Sequence, residues 1–110
     1  MADITIQPAI RDDNDLTFIT PTAVTGDQFV NTGSQYIVVH NDSAGAVTMT
    51  VTTPALADND DLEIEDRVIT IGIGDISITG PWPRDLYNDE DRKVTMVFSA
   101  VTDIKLAVIE

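Results

Sequence analysis

Apolar and polar residues alternate along most of the chain with a period of two, the pattern of strands that have one face in a core. The segment AVTMTVTT (46–53) sets its valines and methionine on one face and its threonines on the other. The segment before it, QYIVVH (35–40), is largely apolar, and the intervening residues NDSAG favour a turn. The sequence therefore predicts a β-hairpin over residues 35–53.

The alternation continues in the later part of the chain. In the segment 61–80, the Gly74-Asp75 corner allows a turn into a run that carries Ile76 and Ile78. Further extended segments are expected at 4–8, 16–20, 28–30, 93–100 and 103–110. No segment keeps a helical period. The pattern predicts an all-β protein: a β-sandwich, a jelly-roll-like fold or a small barrel of about eight short antiparallel strands.

The length of 110 residues suggests one folded domain. We assign it to residues 16–110. Residues 1–15 are extended in pattern and end in a charged run, RDDND. We expect this N-terminal arm to dock onto a partner, with Ile4 and Ile6 as candidate interface residues.

The charge of the chain restricts its partners. Nineteen acidic residues face six basic ones, for a net charge of −13. Such a field repels phosphate groups, so we expect no nucleic-acid and no membrane partner. The chain has no cysteine, which excludes disulfides and thiolate metal sites.

The most acidic stretch is DNDDLEIED, residues 58–66. Clustered carboxylates suit calcium, and Asp58, Asp60 and Asp61 are weak candidate ligands. The spacing does not fit an EF-hand, since the sixth position from Asp58 is Glu63 rather than glycine. A solvated loop and edge strand is the simpler interpretation, because charge on an edge discourages unwanted strand pairing.

Catalytic groups are not evident in the sequence. The acidic clusters at 11–15 and 88–91 are typical of surface charge, and nothing indicates a cleft between paired carboxylates. His40 is the only histidine, and no serine stands in a recognisable nucleophile motif. We expect that the protein is not an enzyme and needs no cofactor.

The segment GPWPRDLYNDEDRKV interrupts the alternation with a stiff corner, because its two prolines fix φ on either side of Trp82. Trp82 either caps the end of its own core or protrudes into a partner. Arg84 and Arg92 are expected to pair with neighbouring acids. Because tryptophan and arginine are favoured in interface hot spots, the candidate interface residues here are Trp82, Arg84 and Tyr87.

Two blocks of the chain, YIVVHNDSAGAVTMTVT (36–52) and ITGPWPRDLYNDEDRKVTMVFSAVT (78–102), resemble the small capsid decoration, or cement, proteins of tailed phages. The positions that carry the resemblance are Asn41, Gly45, Gly80, Pro81, Pro83, Tyr87 and Ser99. The resemblance implies a virion protein on the outer surface of the capsid, bound to the shell of the major capsid protein and often a homotrimer. Its motifs are structural rather than catalytic.

An alternative is a β-sandwich module that binds carbohydrate, with calcium held by the acidic stretch. Sugar binding needs an aromatic platform, and only Trp82 and Tyr87 are candidates for one. The sequence leaves both functions open.

Overall fold

The computed structural model of the protein describes residues 2–8, 16–23, 25–54, 56–57, 62–63 and 65–110. These residues form eleven strands and one helical turn. They are β1 (Ala2–Asp3), β2 (Ile6–Gln7), β3 (Asp27–Val30), β4 (Tyr36–Asn41), β5 (Val47–Val51), β6 (Leu56–Ala57), β7 (Leu62–Glu63), β8 (Arg67–Ile71), β9 (Ile76–Thr79), α1 (Arg84–Tyr87), β10 (Lys93–Phe98) and β11 (Ile104–Ile109).

Two sheets make up the body of the protein. One has five strands in the order β1-β3-β10-β5-β8, and the other has four in the order β2-β11-β4-β9. The short strands β6 and β7 pair with each other. The prediction of an all-β sandwich is confirmed. The helix α1 is a single turn within the loop that joins β9 to β10. No helix in the described part of the chain is long and apolar enough to span a membrane.

The core lies between the sheets and follows from the alternation. Every second residue of β5 and of β10 is buried, while the residues between them are half-buried. The core is mainly aliphatic, with few aromatic rings; its fully buried large side chains include Phe29, Ile37, Met49, Ile71, Met96, Ile104 and Leu106. At about 0.8 kcal/mol per buried CH₂, this burial is the main force that holds the sheets together.

The predicted hairpin over residues 35–53 is wrong in its pairing. Both strands are present, but β4 pairs with β9 and β11 in one sheet, whereas β5 pairs with β8 and β10 in the other. The turn NDSAG therefore crosses between the sheets. The buried side chain of Asn41 fixes this crossing, since its Nδ2 donates to the carbonyl oxygens of Gly45 (2.9 Å) and Ile71 (3.0 Å).

The first two strands are parallel to their neighbours. β1 pairs with β3, and β2 pairs with β11, so the chain passes from one sheet to the other between Asp3 and Ile6. Ile4 lies at this passage and is buried in the core, 8% exposed. The segment 16–20 forms no strand; it meets the sheet through a bridge between Ile19 and Leu106 and through two hydrogen bonds between the Thr17 backbone and the Gln7 side chain.

The strands β5 and β8 form a long antiparallel pair, and the β6–β7 hairpin lies in the connection between them. The backbone N–H of Thr53 donates to Oδ1 of Asp66 at 2.8 Å, which closes the base of this connection. The acidic stretch 58–66 belongs to it, although residues 58–61 and 64 lie outside the described part of the chain.

Candidate functional site

The sandwich is open along one side, where β8 ends the five-stranded sheet and β9 ends the four-stranded sheet. A groove of about 520 Å³ lies between these edges and extends to the proline corner. It is lined by Arg67, Ile69, Ile78, Thr79, Gly80, Pro81, Trp82, Pro83, Leu86 and Tyr87. We call this surface, together with strand β9, the open edge.

Trp82 lies at the inner end of the open edge and is 5% exposed. Of the two alternatives that the sequence leaves, the structure shows the first: Trp82 caps the core of its own chain. Its ring meets that of Tyr87 edge to face, with the centroids 5.0 Å apart and an interplanar angle of 79°. Because its ring is buried, Trp82 offers no stacking platform for a sugar.

Local bonds hold the proline corner in place. The carbonyl oxygen of Pro83 accepts hydrogen bonds from the N–H groups of Leu86 (3.3 Å) and Tyr87 (3.1 Å), which forms the turn α1. Gly80 has φ = +135°, and a Cβ there would lie 2.8 Å from the carbonyl oxygen of Gln35. Only glycine fits such a close approach with this backbone conformation.

Strand β9 carries exposed apolar side chains. Ile76 and Ile78 are each 63% exposed, whereas Ser77 and Thr79 are half-buried. The pairing with β4 explains this, because Ser77 lies opposite Val39, a core residue, and so points inward as Val39 does. Strand β9 contains no charge, no proline and no bulge, so it lacks the features that usually protect an edge strand from pairing.

Sequence reasoning missed this edge. The pattern ISIT alternates as a half-buried strand should, and hydrophobicity alone puts its isoleucines inside. Only the register with β4 reverses the faces. A weak signal was available, since Ile76 to Pro83 is free of charge in a chain where 23% of residues are charged.

Two buried polar atoms of residues that line the groove lack hydrogen-bond partners among the described residues. They are Nε1 of Trp82 and Oγ1 of Thr79. A buried polar group without a partner costs about 1–3 kcal/mol. Both atoms are buried by the chain's own residues, so they reflect imperfect hydrogen bonding at the proline corner, where most buried polar groups would be satisfied.

The cations of the chain are unevenly paired. Within the described residues, the ion pairs are Lys93 with Asp3 (3.0 Å) and Lys105 with Asp42 (3.8 Å). The expected pairing of Arg84 and Arg92 with acids is wrong: neither forms an ion pair in the described part of the chain, and both line a cavity of about 540 Å³ beside α1. Arg67, at the open edge, also has no acidic partner among the described residues.

The Asp3–Lys93 pair links β1 to β10 at the surface. Hydrogen bonds from Lys93 and then from Gln28 hold the pKa of Asp3 below its ordinary value. The hydrogen bond to Asp3 in turn raises the pKa of Lys93. The exposed hydrogen bond between Lys93 and Asp3 is the largest cause of both shifts, and it stabilises both charged forms.

The other predicted residues are scattered. Ile6 is half-buried and packs against the core, as Tyr87 does, while Arg84 is exposed. Ile4 is buried, so an interface role would require it to leave the protein's own core. The interface roles of these residues, and of the arm 1–15, stay predictions.

The proposed calcium ligands cannot be placed. Asp58, Asp60 and Asp61 lie outside the described residues. Among the residues that the structure describes, no three carboxylate or imidazole groups are close enough to hold a metal ion. His40 is a half-buried residue of β4.

Searches against protein-family models, curated proteins and solved structures gave no match to this chain. The class of the protein therefore rests on its own architecture, which is that of a small β-sandwich.

Proposed function

We propose that the protein is a non-enzymatic virion component that decorates the outside of a tailed-phage capsid. Its work is to bind the shell of the major capsid protein and to stabilise it through many repeated non-covalent contacts. The sequence resemblance gives this proposal its specific form. The open edge gives it physical support.

The observation that carries the proposal is the exposed, uncharged strand β9 beside the groove lined by Trp82. Two isoleucines that are each 63% exposed, next to an apolar groove, are typical of a surface that binds another protein. An extended strand with a free edge adds the backbone hydrogen bonds of strand addition. A solvated sandwich with such an edge is suited to assembly.

The charge of the chain fits the same function. A net charge of −13 keeps the free protein soluble at high local concentration before it docks. Binding by several linked copies then combines weak contacts into a stable attachment, as expected for a homo-oligomer on a symmetric shell. The resemblance implies three copies.

The test is binding to empty, expanded shells of the phage that encodes the chain. We expect the protein to sediment with the shells up to a fixed ratio, and electron microscopy to show added density at symmetry-related positions outside the shell. An unrelated acidic protein of similar size is the control. A protein that stays in the supernatant at every ratio would contradict the proposal.

A further inference from the structure

We propose that strand β9 pairs with strand β9 of a second copy of this chain, antiparallel and about a two-fold axis at Ser77. The inference deepens the proposed function, because it rests on the open edge as an assembly surface and names the partner at that edge. It sets the number of copies at two, in place of the three that the resemblance implies. The four-stranded sheet of each copy would then join that of the other copy to form one continuous sheet.

The free backbone groups of β9 determine the register. In an antiparallel pair, successive residues direct their N–H and C=O alternately towards the partner and away from it. The N–H of Asn41 donates to the carbonyl oxygen of Asp75 at 3.0 Å. From there on, every second residue directs its backbone hydrogen-bonding groups towards β4, and these residues are Ser77 and Thr79. The N–H and C=O groups of Ile76 and Ile78 therefore point to the open side.

These groups match their own copies. With Ser77 on the two-fold axis, Ile76 lies opposite Ile78 of the second copy, and Ile78 lies opposite Ile76. Every free N–H and C=O of the two residues then gains a partner. The exposed isoleucine side chains of both copies come together on the outer face, where cross-strand apolar pairs stabilise a sheet.

The charged residues near the ends of β9 are also compatible with pairing to a second copy. In this register, Asp75 of one copy lies opposite Thr79 of the other. Thr79 lines the same groove as Arg67, which has no acidic partner among the described residues. Asp75 of the second copy would thus bring a negative charge to the side of the groove that holds Arg67.

An unrelated charged strand fits this surface less well. Strand β9 carries no charge, so a charged partner strand would lose hydration beside it without forming ion pairs. Two copies of β9 meet without placing any charge within the paired strands. The symmetry closes at two copies, which leaves the remaining surface of the pair for the shell.

The absence of cysteine from the chain allows a direct test. The two copies of Ser77 would form a non-hydrogen-bonded pair, with their Cα atoms about 4.5 Å apart. This distance lies within the range of about 4.4–6.8 Å that a disulfide spans. A Ser77→Cys variant should therefore form a covalent dimer under mild oxidation. The matched control is Thr70→Cys on β8, the edge strand of the other sheet.

We expect rapid cross-linking of the Ser77→Cys variant and little of the Thr70→Cys variant. Cross-linking of Ser77→Cys that is no faster than that of Thr70→Cys would overturn the inference. Sedimentation of the unmodified protein gives a second, independent readout, and we expect the mass of two chains. A mass of one chain at every soluble concentration, or of three chains, would also overturn the inference.

A pair of charge substitutions completes the test. Ile78→Asp puts a charge on the seam of each copy and should weaken the dimer by about tenfold. Val68→Asp adds the same charge to β8, where Val68 is also exposed, and should leave the dimer unchanged. Equal effects of the two substitutions would argue against β9. None of these measurements uses shells, so a failure of self-pairing can be told apart from a failure of decoration.

Discussion

Nδ2 of Asn31 donates a hydrogen bond to the carbonyl oxygen of Trp82 at 2.9 Å, and this buried contact joins the end of β3 to the proline corner. The same nitrogen donates to Oδ1 of Asn88 at 2.7 Å. One side chain therefore connects the five-stranded sheet to both ends of the turn α1. The connection ties the proline corner, which borders the open edge, to the rest of the protein.

We predict that Asn31→Ala lowers the free energy of unfolding by about 1–3 kcal/mol, because it leaves buried backbone and side-chain acceptors without their donor. Urea unfolding followed by circular dichroism measures the change. Ser34→Ala, at an exposed position of the next turn, is the control and should have little effect. If the two substitutions have equal effects, the Asn31 contact does not hold the corner.

The buried ring of Trp82 leads to a second prediction. Trp82→Ala should destabilise the protein by about 3–5 kcal/mol, as is usual for loss of a large core aromatic side chain. Trp82→Phe should cost much less, since it keeps an aromatic ring and also removes an N–H that has no hydrogen-bond partner among the described residues. Thermal unfolding of the two variants compares them, and equal losses would argue against this account.

The backbone at Gly80 gives a matched pair of glycine substitutions. Gly80→Ala should cost more than about 1 kcal/mol, because its φ of +135° and the nearby carbonyl oxygen of Gln35 both exclude a Cβ. Gly45→Ala should be close to neutral, since a Cβ there would have no atom within 4 Å. Chemical denaturation measures both. Similar losses would mean that the corner tolerates a side chain.

The Asp3–Lys93 pair predicts a specific pH dependence. The pKa of Asp3 is lower in the folded protein than in the unfolded one, so its stabilising effect is present at neutral pH and is lost as the pH falls through the folded value. The raised pKa of Lys93 has the opposite sense: its stabilising effect is present below the ordinary pKa of lysine and is lost as the pH rises through the raised value.

An NMR titration of the Asp3 carboxyl group measures this directly. We expect its midpoint to move up towards the ordinary value for aspartate in a Lys93→Met variant, because the hydrogen bond from Lys93 is the largest cause of the lowered pKa. Added salt should reduce the shift in the unmodified protein, because the pair is at the surface. Lys105→Met, which removes the other paired lysine, is the control and should leave the Asp3 midpoint in place.

Much of the fold could be predicted from alternation. The strands near 35–40, 46–53, 93–100 and 103–110 are all present. Those in 46–53 and 93–100 bury every second residue, as alternation predicts, whereas those near 35–40 and 103–110 bury consecutive apolar residues. Their pairing could not be predicted in the same way. A five-residue turn such as NDSAG can return a strand beside its neighbour or carry it to the opposite sheet, and periodicity does not distinguish these outcomes.

The candidate site was accessible only in part. The proline corner stood out in the sequence, and the structure places it at the open edge. The exposure of the two isoleucines of β9 could not be predicted from the sequence, because which face of a strand points inward depends on its partner in the sheet. Ser77 points inward because Val39 does, and that pairing spans 38 positions of the chain. The structure also places Ile4 in the core rather than on the surface.

The parallel contact between β2 and β11 joins residues from the two ends of the described chain, with Ile6 beside Val108. During synthesis on the ribosome, β2 emerges first but has no neighbour until β11 has left the exit tunnel. The smaller sheet is therefore completed only after residues 104–109 have been translated. Until then, the edge of β4 that pairs with β11 has no partner strand in the nascent chain. Such dependence on distant contacts favours slow, all-or-none folding over stepwise growth.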